Sequence, residues 1–112
     1  MKKILVYILF LGLLVTPMFS QTVVTKENDN TKEVLRYDDE NRLHGRCLAW
    51  NQDGVLVAEA NYQHGKKQGL WMIYYDNGKP AYEMHYDQGN KVGTWKHWDV
   101  SGELVVEKQY TQ

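Results

Sequence analysis

An all-β fold, an elongated antiparallel meander of stacked β-hairpin repeats, is predicted by three regularities in this chain. After residue 20 every glycine falls on a comb of period 24: Gly45, Gly69 and Gly93; Gly54, Gly78 and Gly102; Gly65 and Gly89. Aromatic residues keep the same step, from Trp71 to Trp95, from Trp50 through Tyr74 to Trp98, and from Tyr62 through Tyr86 to Tyr110. Glu59, Glu83 and Glu107 do so too. Self-similarity at a fixed period of this length marks one supersecondary unit stacked several times. Turn formers interrupt the chain roughly every eight to ten positions, so no helix is expected in the repeat region.

The first twenty residues stand apart from the repeats. Lys2 and Lys3 give a basic start, Ile4 to Val15 are apolar, and Thr16-Pro17-Met18-Phe19-Ser20 form a short exit. That layout is a secretory signal peptide over 1–20, too short to span a bilayer as a stable helix. Export follows, to the periplasm or the outside. Residues 21–32 (QTVVTKENDNTK) are polar without an apolar period and read as a mobile leader. The repeat domain occupies 33–112, with a partial unit ending at Tyr37 and full units at 38–61, 62–85 and 86–109. Its first joint carries one extra residue and lacks the glycine found at Gly65 and Gly89, the degeneracy typical of a terminal repeat.

Each unit reads as two strands and two turns. Asp53-Gly54, Asn77-Gly78 and Ser101-Gly102 are hairpin signals. The strands they join run near 45–51, 55–62, 69–75, 79–86, 93–99 and 103–110. Two-residue loops would set Trp71 opposite Met84, Ile73 opposite Tyr82, and Tyr75 opposite Pro80. In the next unit Trp95, His97 and Asp99 would oppose Lys108, Val106 and Leu104. With Cys47, Ala49, Leu56, Ala58 and Ala60 these residues form the more apolar face, which is assigned to the core. The opposite face pairs Leu48 with Glu59, Met72 with Glu83, and Lys96 with Glu107. It also carries Trp50, Tyr74 and Trp98 as a spaced aromatic stripe.

The segment GLWMIYYDNGKPAYEMHYDQGNKVGTWKHWDVSG resembles the MORN-repeat variant of YwqK-family antitoxin modules. Units 62–85 and 86–109 carry the resemblance well, and 38–61 loosely, with Cys47 where the others have tryptophan. The resemblance implies a sheet of stacked hairpins that binds or scaffolds other molecules, and the antitoxin label implies neutralisation of a partner toxin. It brings no catalytic residue.

Composition and spacing narrow the function classes. Beyond residue 20 the chain has 11 Lys and Arg against 14 Asp and Glu, unlike the basic face of a nucleic-acid binder. Cys47 is the sole cysteine, so no internal disulfide forms, and its place in the tryptophan phase marks a packed residue. Glu59, Glu83 and Glu107 should lie about 10 Å apart, on alternate strands. That spacing and their threefold recurrence suit exposed, cross-strand paired residues rather than a catalytic carboxylate pair. His44, His64, His85 and His97 occupy four different phases, which argues against a metal site. Ser101 sits in a turn. Gly65-Lys66-Lys67-Gln68-Gly69 lacks the following helix of a phosphate-binding loop.

No enzyme, metal or cofactor is therefore expected. The expected work is protein binding or scaffolding, with Trp50, Tyr74 and Trp98 as the contact surface. An immunity role, lipid or glycan contact at the envelope, and homodimerisation through the 103–110 edge are the alternatives.

Overall fold

The computed structural model describes residues 2–6 and 21–111. The rest of the predicted signal peptide, residues 1 and 7–20, lies outside the described residues. Eleven strands make one antiparallel sheet, with no helix among them: β1 (Lys2–Val6), β2 (Thr22–Glu27), β3 (Thr31–Tyr37), β4 (Gly45–Asn51), β5 (Leu56–Gln63), β6 (Lys66–Lys67), β7 (Gly69–Tyr74), β8 (Pro80–Asp87), β9 (Asn90–Lys91), β10 (Gly93–Trp98) and β11 (Leu104–Tyr110). Nine run in the order β1-β2-β3-β4-β5-β7-β8-β10-β11, while β6 and β9 are short returns on β5 and β8. The meander arises because each turn is local and each new strand pairs with the one just laid down.

The leader expected to be mobile over 21–32 is instead a hairpin. β2 pairs with β3 from Thr22↔Tyr37 to Glu27↔Lys32, and Val24 is buried. Its turn is held by Asn28: Asn28 Oδ1 accepts the N–H groups of Asn30 and Thr31 at 2.9 and 2.8 Å. The later turns make similar Asx bonds from Asn51 and Asp99, but no residue of this turn has a positive φ, so it needs no glycine and lies outside the comb.

The three long hairpins close through three-residue loops rather than two. Gly54 N–H donates to Asn51 O at 3.0 Å and Asn51 N–H to Val55 O at 2.9 Å, with Gly54 at φ 78°. Tyr75 to Lys79 and Asp99 to Glu103 repeat the pattern. A bulge in the returning strand then restores the pairing. Trp71↔Met84, Ile73↔Tyr82, Trp95↔Lys108 and His97↔Val106 hold as expected, but the outer pairs become Tyr74↔Pro80 and Trp98↔Leu104, with Trp50↔Leu56 in the first unit. Leu56, Pro80 and Leu104 therefore pair with the stripe, not with the apolar face.

The minor turns are two-residue loops. His64 and Gly65 have φ of 47° and 83°, Gln88 and Gly89 of 49° and 86°, the doubly left-handed geometry that suits a tight hairpin. Gly65 N–H donates to Leu43 O at 2.8 Å and Gly89 N–H to Lys67 O at 2.9 Å, stapling each unit to the one before.

Among the described residues no second layer covers the sheet, and the molecule measures 53 × 40 × 19 Å. The apolar face assigned to the core is consequently half open. Cys47 and Tyr86 are buried on it, but Ile73, Tyr82 and Val106 are 36, 43 and 52 % exposed. Met72 and Ala81 are buried on the opposite face. With no described element folded back over the sheet, ring-on-ring packing substitutes for an enclosed core.

Candidate binding faces

The aromatic packing forms a continuous ladder across β5, β7, β8, β10 and β11. Ring centroids are 5.0 Å apart for Tyr62–Trp71, 5.5 Å for Trp71–Tyr86, 5.2 Å for Tyr86–Trp95 and 5.1 Å for Trp95–Tyr110. The edge-on and tilted geometries place ring edges on neighbouring faces, the favoured quadrupole arrangement. Trp71 Nε1 donates to Asn61 O at 2.8 Å and Trp95 Nε1 to His85 O at 3.1 Å. Lys67 Nζ lies 4.7 and 4.8 Å from the Trp71 and Tyr86 rings, and Lys91 Nζ 4.9 and 5.4 Å from Trp95 and Tyr110. Each lysine is a cationic lid on one rung.

Beside the ladder, on the same face, cross-strand pairing aligns Ile73, Tyr82, His97 and Val106. Tyr82 and His97 stack at 4.2 Å with their planes 13° apart, and His97 Nδ1 is 2.8 Å from Ala81 O. The sequence pattern marks the row as apolar and assigns it to the core; among the described residues no layer covers it, which makes it a surface.

The stripe expected to make contact lies on the other face. Trp50, Tyr74 and Trp98 sit on alternate strands β4, β7 and β10, each beside a bulge and each half-buried. Lys32 Nζ is 5.9 Å from the Trp50 ring, and Tyr75 Oη donates to Trp98 O at 2.7 Å. On that face Glu59 meets Arg46 at 2.7 Å, Glu83 meets His85 at 3.3 Å, and Glu107 stands opposite Lys96. Ser101 Oγ donates to Asp99 Oδ1 at 2.6 Å inside its turn. That bond, followed by the Glu103 N–H, holds the Asp99 carboxyl below its ordinary range.

Two histidines that differ in phase come together at the first joint, against the expectation from spacing. His64 Nδ1 is 2.9 Å from Asp38 Oδ2, the His64 N–H donates to His44 Nδ1 at 3.0 Å, and the two rings lie 4.5 Å apart. The joint itself brings these phases together: one unit on, Gln88 N–H donates to Gln68 Oε1 at 2.7 Å and Gln88 Nε2 to Gln63 Oε1 at 2.9 Å. Ligand atoms of Asp38, His44 and His64 lie within 4.8 Å of one another, the spread a cation would need. However, Arg42 Nε already donates to the same Asp38 oxygen at 2.9 Å, and its Nη2 is 3.2 Å from His64 Nδ1. A guanidinium here neutralises the carboxylate and repels a second cation, so the cluster reads as a brace. Asp38 Oδ1 completes it by accepting the N–H groups of Glu40 and Arg42 at 3.0 and 2.9 Å.

The His64 bond above all, with those from Arg42 and Glu40, holds Asp38 well below its ordinary value of 3.8, against the opposing pull of burial. A depressed folded-state pKa stabilises the fold above the ordinary value, and this contribution is lost as pH falls toward the depressed one. The thermal midpoint of the wild type is therefore expected to drop below about pH 4. Asp38→Asn should already melt lower at neutral pH and lose less on acidification. Identical midpoint profiles for the two proteins by circular dichroism would reject the brace.

Residues 43–64 and 67–88 match the family model of the MORN repeat variant. The matched stretches cover most of the units 38–61 and 62–85 and only the first residues of 86–109, although 38–61 carries the resemblance loosely and 86–109 well. No curated protein and no solved structure matches the chain.

Proposed function

We propose that this chain, a repeat module with two MORN-variant matches, is an exported, non-catalytic protein that binds and scaffolds a protein partner on the ladder face of its sheet. One observation carries the reading: exposed Ile73, Tyr82 and Val106, with half-buried His97 between the last two, form an apolar and aromatic row at adjoining cross-strand positions. Scattered exposed apolar residues are ordinary, whereas a contiguous row marks an interaction surface. Tyrosine and stacked rings add contact area at little entropic cost. The excess of acidic over basic residues beyond residue 20 favours protein over anionic lipid as the ligand. Export rests on the Lys2-Lys3 start, the apolar stretch and the exit segment.

The test is crosslinking and affinity purification of tagged full-length protein from its native cells, using two variants checked for folding. Ile73→Ser/Tyr82→Ser/Val106→Ser is expected to weaken recovery of the dominant partner by at least about ten-fold, as loss of interface anchors does. Trp50→Ala/Tyr74→Ala/Trp98→Ala should retain it. Loss in the second variant alone would move the contact to the opposite face. No protein recovered, with salt-insensitive sedimentation on anionic vesicles, would replace protein binding by lipid binding.

A further inference from the structure

The repeat is its own template for what its first unit lacks. Trp71 and Trp95 share a phase with Cys47, the lysine lids Lys67 and Lys91 with Leu43, and Met84 and Lys108 with Ala60. Three bulky or cationic groups are thus replaced by small or apolar ones at a single place. Cys47 and Ala60 are direct cross-strand partners, so both reductions fall on one spot of the ladder face.

Their combined effect is an open, mostly apolar groove of about 140 Å³, lined chiefly by Leu35, Leu43, Cys47, Ala58, Ala60 and Tyr62, with Glu33 the one charged residue on it. A cavity of about 150 Å³ is large enough to take up benzene. Tyr62 has the Trp71 ring on one side at 5.0 Å, and the groove on the other. In the two later units a carbonyl accepts both a backbone N–H and the indole: Asn61 O from Gln68 at 2.9 Å, and His85 O from Val92 at 3.0 Å. The matching carbonyl in the first unit is Arg36 O, which accepts the His44 N–H at 2.8 Å and has no indole beside it. Apolar walls, a ring face and a carbonyl are therefore what a tryptophan side chain meets elsewhere in this same sheet.

We infer that the groove over Cys47 receives an aromatic side chain of the bound protein partner, an indole above all, so that the ladder is completed in trans. This rests on the protein-binding reading above and names the chemistry of its anchor. The groove lies on the same face as the exposed row, so one extended partner segment reaches both. An aromatic anchor seated in a pocket is the usual energetic centre of such a contact.

The probe is the tripeptide Gly-Trp-Gly, titrated into the full chain and followed by amide ¹H–¹⁵N shifts. Saturable shifts are expected over 43–48 and 58–62, with none from Gly-Ala-Gly. Cys47→Trp should abolish them, and Ala60→Met should weaken binding at least ten-fold. Both variants install residues that the second unit already carries at these positions, and the two serve as independent checks should either fold poorly. No shifts at the groove in the wild type, or equal shifts in both folded variants, overturns the inference.

The crosslinking experiment separates the two levels. A partner captured equally well by Cys47→Trp overturns the groove anchor and leaves protein binding standing. Reduced capture by Cys47→Trp, with the exposed row intact, supports it. Tripeptide binding with no captured protein removes the partner and, with it, the inference of an anchor in trans.

Discussion

Trp71→Ala is expected to lower stability by about 3 kcal/mol, within the range for deleting a large aromatic side chain. The side chain's contacts account for that size. Trp71 has a ring neighbour on each side, Tyr62 and Tyr86, each pair worth about 0.5–1.5 kcal/mol beyond area burial. Its lysine lid adds roughly 0.5–1 kcal/mol and its indole hydrogen bond to Asn61 O a further 0.5–1.5 kcal/mol or so. In a domain of this size the melting midpoint should fall by roughly 12–24 °C. Trp98→Ala, on the opposite face and outside the ladder, should cost less than half as much. Thermal unfolding followed by circular dichroism decides it: equal losses for the two tryptophans would mean that the ladder is not what holds the sheet together.

Gly69→Ala is expected to cost about 1–2 kcal/mol for a reason that involves no contact at all. Gly69 has φ of +83°, and a Cβ there would meet nothing within 4 Å. The penalty is the left-handed backbone itself, which places an L side chain against its own carbonyl. That conformation is needed where the chain leaves the short return β6, paired with Tyr62 and Gln63, and enters β7, paired with Ala58 and Glu59. Gly69→Asn should cost less, because asparagine tolerates this region better. Gly69→Ala/Gly93→Ala should approach about 2–4 kcal/mol, since the two sites share no contact. Urea titrations should show lower midpoints with an unchanged slope. A Gly69→Ala midpoint equal to the wild type's would show that the joint does not depend on this backbone geometry.

Both effects were foreshadowed by the period of the chain. Glycines at a fixed step mark positions where any side chain strains the backbone, so Gly69 and Gly93 could be singled out before their φ angles were known. Tryptophans and tyrosines at the same step mark the ladder, although its rung-to-rung contacts needed the strand order. The inner register was legible for a subtler reason. The three-residue turn shifts the pairing by one and the following bulge shifts it back, so a two-residue loop predicts the right partners everywhere except beside the turn.

Other features were illegible because they depend on departures from the repeat. The hairpin at 22–37 uses an asparagine turn and carries no glycine signal. The Asp38, His44 and His64 brace puts ionisable side chains where the next joint has Gln63, Gln68 and Gln88 making the same contacts, and only the folded joint shows that these different phases meet. Cys47 looked like a packed small residue, and it is buried; the groove above it appears only when Leu35, from a strand outside the clear repeats, is set beside Leu43, Ala58, Ala60 and Tyr62.

The sequence by itself determined the all-β meander, the bounds of its six long strands from Gly45 onward to within a residue or so, and where the turns between them fall, because these follow from local backbone chemistry repeated at a fixed step. Only the tertiary structure decided which apolar residues are surface. Alternation assigns side chains to one of two faces but carries no information on whether anything covers a face. In this single-layered sheet nothing among the described residues does, and what looked like core at Ile73, Tyr82 and Val106 is the surface a partner would meet.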